Sequence, residues 1–246
     1  MLSEQIGALC TDFYINQKMS LKLDLPTARE TVLDMFDRVR REQPRMERFR
    51  RYDDELALES PEEAGRYAWL ALGRTAIRSG SVNPEVMEDA YGLHRLILEL
   101  APYFLSISPL DMDCLELMYG VDLEADRNRN EVVFDALLAG SPLRDLVAGD
   151  EPLVDVQPFI GMALEPGCSR QAFVEIKTRT RTPEIASGRY DHEPISVYLT
   201  IRSHGPFRSI EDLAAAFAEL SADGERLLSD RLLPCVIQPL RTALYG

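Results

Sequence analysis

Polar and apolar residues alternate along residues 13–23. Ile15, Gln17, Met19, Leu21 and Leu23 fall on one face and Asn16, Lys18, Ser20 and Lys22 on the other. Successive side chains of a strand point to opposite faces, so this period predicts a half-buried strand. The period then changes. Behind Pro26 and a Thr27-x-x-Glu30 capping box, Val32, Met35, Phe36 and Val39 recur at helical spacing, and Gln43-Pro44 closes the helix. Residues 46–59 and 66–78 read as a strand pair around a turn at 60–65. Asn83-Pro84 predicts the cap of a helix that runs to about Leu100, carries Glu85, Glu88 and Asp89 at its start, and ends at Pro102.

The second half repeats the theme. Residues 112–123 predict a strand, and Asn130 predicts the cap of a helix reaching about Leu138. Gly140, Pro142, Gly149 and Pro152 mark a candidate hinge. Strands are expected at 154–164, 171–181 and 194–202, then a helix opened by a Ser209-x-x-Asp212 capping box. A last helix over 223–243 should be kinked or split by Pro234 and Pro239.

A short echo links the halves. Ile77-Arg78-Ser79 ends a strand-like run before a helix opening with Glu88-Asp89; Ile201-Arg202-Ser203 ends another before Glu211-Asp212. The predicted architecture is therefore α+β with a mostly antiparallel sheet. It comprises two related β-α-β-β-α-like halves, 1–105 and 106–246, with C-terminal helices, a shared core, a possible internal duplication and one strand more in the second half.

Composition narrows the field. With 27 basic and 41 acidic residues among 246, the chain carries a net charge of −14, which repels phosphate backbones and makes nucleic acid an unfavoured partner. No run approaches the roughly 20 apolar residues of a membrane span, and Met1 to Cys10 lacks a basic signal region; a cytoplasmic protein is expected. Cys10, Cys114, Cys168 and Cys235 are widely spaced, as reduced thiols would be.

Candidate chemistry is sparse. Phosphate-loop, dinucleotide-binding, nucleophile-elbow and zinc-protease signatures are all missing. The ladder Asp122-x-Glu124-x-Asp126-x-Asn128-x-Asn130 resembles a calcium loop, but Arg127 stands where that loop needs Gly and Val133 where it needs Glu. Asp111 and Asp113 share a strand face with no histidine near them in sequence. Neither metal nor cofactor is expected. His94 falls in an apolar helix and reads as a core histidine; His192 and His204 sit in polar turns and could do acid–base work only if a cleft brought them a carboxylate.

The main anomaly is basic. Arg38, Arg40, Arg41, Arg45, Arg48, Arg50 and Arg51 crowd one segment around Phe49 and Tyr52, and guanidinium forks suit carboxylates and phosphates. Lys177, Arg179 and Arg181 alternate along a predicted strand, with Arg189 beyond. The plainer reading is structural: arginines offset a helix C-terminus, and cations blunt sheet edges. The sequence therefore predicts an interaction or scaffold module, a homodimer or a partner of another protein, that touches an acidic partner through Arg45, Arg48, Arg50 and Arg51. Alternatives are a binder of a small anion or nucleic acid through both basic strands, with Lys177, Arg179 and Arg181, and an enzyme using carboxylates with His192 or His204.

Overall fold

The computed structural model describes residues 2–147, 149 and 151–246. In chain order the elements are helix α1 (Leu2–Gly7), strand β1 (Asp12–Leu21), α2 (Arg29–Glu42), β2 (Arg48–Arg51), β3 (Leu56–Glu59), β4 (Tyr67–Leu72), β5 (Ala76–Val82), α3 (Met87–Phe104), β6 (Met112–Ala125) and α4 (Arg129–Leu137). A 3-10 turn (Pro142–Leu146) leads to β7 (Phe159–Ala163), β8 (Arg170–Lys177), α5 (Thr182–Ser187) and β9 (Glu193–His204). The chain ends in α6 (Glu211–Leu227), a π-helical stretch (Leu228–Ile237) and α7 (Gln238–Tyr245).

The strands form one antiparallel sheet in the order β2-β3-β4-β5-β1-β6-β9-β8-β7. β1 keeps the predicted alternation, with Phe13, Ile15, Gln17, Met19 and Leu21 buried and the residues between them half-exposed; Leu23 lies past its end and is exposed. A single core runs through both halves: β1 pairs directly with β6, and buried residues from both sides of position 105 form one cluster. α3 packs on β5, and α6 on β6 and β9, while α2, α3 and α6 touch in sequence to build a helical layer. Contact there is close. A methyl group on Gly224 of α6 would overlap the Tyr119 ring of β6, whose hydroxyl lies 2.7 Å from that of Tyr91 on α3.

Each half follows the same path. A first strand is followed by a helix, then a meander whose last strand returns to pair with the first, then a long helix: β1-α2-β2-β3-β4-β5-α3 and β6-α4-β7-β8-β9-α6. The echoed triplets occupy matching places. Ile77-Arg78-Ser79 pairs with Met19, Lys18 and Gln17, and Ile201-Arg202-Ser203 with Leu117, Glu116 and Leu115, around the central pair Lys18–Glu116.

Several local expectations need correction. The runs 46–59 and 66–78 each fold into a hairpin, because Asp53-Asp54 and Gly73-Arg74 are turn formers inside apolar runs; the extra strand therefore lies in the first half, not the second. Thr27 does not cap α2: Ala28 stands at the cap without a side-chain bond. Asn83 does not cap α3 either. It takes a left-handed backbone (φ 49°), accepts the Phe13 N–H and donates to Asp12, while the helix starts after Val86. Pro102 sits inside the last turn of α3 rather than ending it. Asn128, not Asn130, caps α4. The expected hinge becomes in part the 3-10 turn, and Ala148 and Asp150 within it lie outside the described residues. β8 stops at Lys177, and the unforeseen α5 follows. The C-terminal prolines do not break the helix. The chain widens to π geometry around Pro234, with Gln238 N–H bonded to the Leu233 carbonyl, and runs on into α7 with Pro239 as its second residue.

Candidate interaction surface

The helical layer covers one face of the sheet and leaves the other open. Cross-strand register decides what that face displays. One row runs across all nine strands: Arg48, Glu59, Trp69, Gly80, Asn16, Met118, Thr200, Phe173 and Gly161. The row on one side of it reads Tyr67, Val82, Tyr14, Gly120, Tyr198, Glu175 and Phe159. The row on its other side reads Arg50, Ala57, Ala71, Arg78, Lys18, Glu116, Arg202, Gln171 and Ala163.

Aromatic rings pave this face because glycine stands beside them. A methyl group on Gly120 would overlap the Tyr14 ring, and one on Gly80 would overlap both the Trp69 indole and the Asn16 amide; without Cβ atoms the rings lie down on the sheet. Tyr14 meets Tyr198 edge-on at 6.3 Å, Phe159 stacks on Phe173 at 5.7 Å, and the Arg202 guanidinium lies 5.2 Å from the Phe173 centroid. Tyr14, Asn16, Tyr67, Trp69 and Asp122 also line a shallow cleft of about 530 Å³.

Polar groups knit the centre. Ser196 Oγ and Tyr14 Oη donate to Asp122 Oδ1 at 2.5 and 3.3 Å, and Arg179 donates to Ser196 Oγ and to Tyr198 Oη, the latter at 2.7 Å. Burial pushes the Asp122 carboxyl above its ordinary value, against the pull of Ser196 and Arg179. Burial, the Tyr198 hydroxyl and the Asp122 charge together hold Tyr14 protonated.

Charge on the third row is uneven. Arg78 pairs with Glu55, and Arg202 with Glu116 at 2.5 Å. Lys18, between Arg78 and Glu116 at the middle of the sheet, has no carboxylate within ion-pair distance among the described residues.

The residues singled out from sequence do not gather. β2 is the first strand and β8 the eighth, so the two basic segments stand roughly 30 Å apart. In the first, Arg38 pairs with Glu42, Arg40 with Asp37, Arg45 with Glu63 and Arg50 with Glu59 (4.0 Å); Arg41, Arg48 and Arg51 have no carboxylate partner among the described residues. Arg48 and Arg50 reach the open face, while Phe49 turns back onto Phe36 of α2. The second row is not one strand face. Lys177 pairs with Glu175, Arg179 adopts a left-handed backbone (φ 51°) and folds over Ser196, and Arg181 pairs with Glu184 and Asp191.

One cation that sequence reading passed over is the most constrained. Arg129, at the start of α4, is fully buried. It donates to the Thr178 and Asp191 carbonyls at 2.7 Å each and to Glu184 Oε1 at 2.9 Å. Burial raises the pKa of Glu184, but the Asp191 and Arg181 N–H groups and the Arg129 guanidinium outweigh it and hold the carboxyl at about 2. Beside it, Asn130 Oδ1 accepts Thr178 Oγ1 and the Val156 N–H. Together they pin the β8–β9 connection and the approach to β7 onto α4. Nothing in the local run Asn128-Arg129-Asn130 marks this, since the partners of Arg129 lie 49 to 64 residues away in sequence.

His94 is fully buried, Nδ1 lies 2.8 Å from Ser79 Oγ, and burial lowers its pKa to about 3. His192 stands 3.6 Å from Glu124 with both side chains largely exposed. Among the described residues, no three His, Cys, Asp or Glu cluster as metal ligands, the four cysteines are unpaired, and no helix is long and apolar enough to cross a membrane. In comparison with known proteins, no family model matches the chain and no curated protein matches its sequence.

Proposed function

We propose that this chain is an interaction module whose open sheet face receives an acidic, partly apolar polypeptide segment from a protein partner. The observation that carries the reading is Lys18, without a carboxylate in ion-pair distance among the described residues at the middle of an open-face row in which Arg50, Arg78 and Arg202 are already paired with Glu59, Glu55 and Glu116. Carboxylates of a partner would lie over that row while its apolar groups lie on Trp69 and Phe173. The acidic-partner role thus shifts from the Arg38–Arg51 segment to the face, which keeps only Arg48 and Arg50 of that segment. A polyphosphate fits less well, because Asp122, Glu59 and Glu116 share the same face and would repel it.

The protein carries its own reporter. Trp69 is its one tryptophan and lies on the open face. Titration with a short Trp-free peptide alternating Glu and Leu should shift Trp69 emission to saturation, weakened by added salt and abolished in Lys18→Glu. A flat response, or an equal response in Lys18→Glu, overturns the reading; a response to oligothymidylate alone transfers it to an anion or nucleic-acid binder. We further read the matching paths of the two halves as an ancestral duplication. The shared strand–helix order and the corresponding triplets support it.

A further inference from the structure

We infer that the free edge of β7 is a self-pairing edge through which two copies of this chain join antiparallel into one continuous sheet. β7 is the last strand, and Phe159, Ile160, Gly161 and Ala163 are exposed. Its hydrogen bonds to β8 fall on even-numbered residues, as Ile176 N–H to the Pro158 carbonyl and Leu164 N–H to the Arg170 carbonyl show. Antiparallel ladders alternate, so the N–H and C=O groups of Phe159, Gly161 and Ala163 point away from the sheet. None of these groups has a partner among the described residues. The strand Phe-Ile-Gly-Met-Ala carries no charge and no proline, the devices that normally blunt an edge.

The occupant follows from register and charge. Pairing centred on Gly161 against its own copy lets the three outward residues satisfy one another: Gly161 opposite Gly161, and Phe159 opposite Ala163 in both directions; a shift that sets Ala163 against Gln157 would bring Glu165 against Asp155. The register centred on Gly161 places Ile160, 58% exposed, against the copy's Met162. It also sets Glu165 across from the copy's Gln157, so no acid faces an acid although each chain carries −14. The opposite edge cannot pair this way, because β2 is Arg-Phe-Arg-Arg and would oppose arginine to arginine. Five residues per strand bury little area, so the dimer should be weak, dissociating on the order of 10 µM.

The test combines sedimentation with amide exchange across protein concentration. The expected result is a monomer–dimer equilibrium in which exchange at Phe159, Gly161 and Ala163 slows as concentration rises. Ile160→Lys and Gly161→Pro, the second removing one outward N–H, should both remain monomeric with unchanged circular dichroism, and Ile160→Lys, whose side chain lies on the face opposite the Phe173 ring, should keep the Trp69 response to the acidic peptide. A monomer at every concentration, a dimer that persists in both folded variants, or association that leaves those three amides unprotected overturns the inference. Loss of the Trp69 response in Lys18→Glu with the dimer intact separates this edge from the open face.

Discussion

The two ends of the sheet are built on opposite plans. At the β2 end arginines are many and exposed. Arg45–Glu63 joins side chains that stay largely in water, and Arg50–Glu59 is held only at 4.0 Å; such surface pairs contribute about 0–1 kcal/mol. At the β7 end one buried guanidinium, Arg129, holds α4 to the chain around Thr178, Glu184 and Asp191. The contrast teaches that the conspicuous arginines of this sequence lie along an exposed edge, while the inconspicuous one ties α4 to the β8–β9 connection. Burial, not number, sets the energetic weight of a charge, because an unpaired buried partner has no water to turn to.

The largest break in this comparison is Arg129→Ala. It leaves Glu184 charged and buried and frees two carbonyls, and should cost about 3–5 kcal/mol, read by urea denaturation. If it costs no more than Arg45→Ala, the contrast between the ends fails. Acid should act next. The folded chain keeps His94 neutral, with its pKa lowered from 6.5 to about 3, so stability is full above pH 6.5 and falls as pH drops toward 3. Glu184, lowered from 4.5 to about 2, adds a second loss between pH 4.5 and 2. In His94→Gln the upper window should flatten, and in Arg129→Ala the lower one should shrink, each measured as the pH dependence of the denaturation midpoint.

Between the ends, Gly120→Ala sharpens the account of the open face. The added methyl must lift the Tyr14 ring, at a cost of about 1–3 kcal/mol, and should also diminish the Trp69 response to an acidic peptide by disturbing the paving. The smallest effect belongs to the edge arginines. Arg45→Ala should change stability by less than about 1 kcal/mol. Replacing Arg48, Arg50 and Arg51 together with Thr should leave the monomer folded but raise its tendency to associate, since the β2 edge then loses its guards; light scattering on that variant checks it.

How far the sequence could be read depended on the range of the interaction. The alternation in β1 and the stripe Val32, Met35, Phe36 and Val39 are local, and the structure keeps both. Caps were legible only where a side chain had a single use: the Ser209–Asp212 pair forms as expected. Asn83 and Asn130 were drawn off to Phe13 and to Val156 and Thr178, far along the chain. The two hairpins were missed because a turn of a few residues hides inside an apolar run.

The sequence by itself determined the α+β class, the identity of most core positions and the net charge of −14, because periodicity and composition act within one element or on the whole chain. The tertiary structure alone decided that Arg48 and Lys177 lie at opposite ends of the sheet and that Gly120 sits under Tyr14. It also decided that Lys18 is left unpaired between Arg78 and Glu116, and that Arg129 is buried. Each of these depends on strand order, cross-strand register or long-range packing; one residue of slip would have sent Lys18 or Gly120 to the other face.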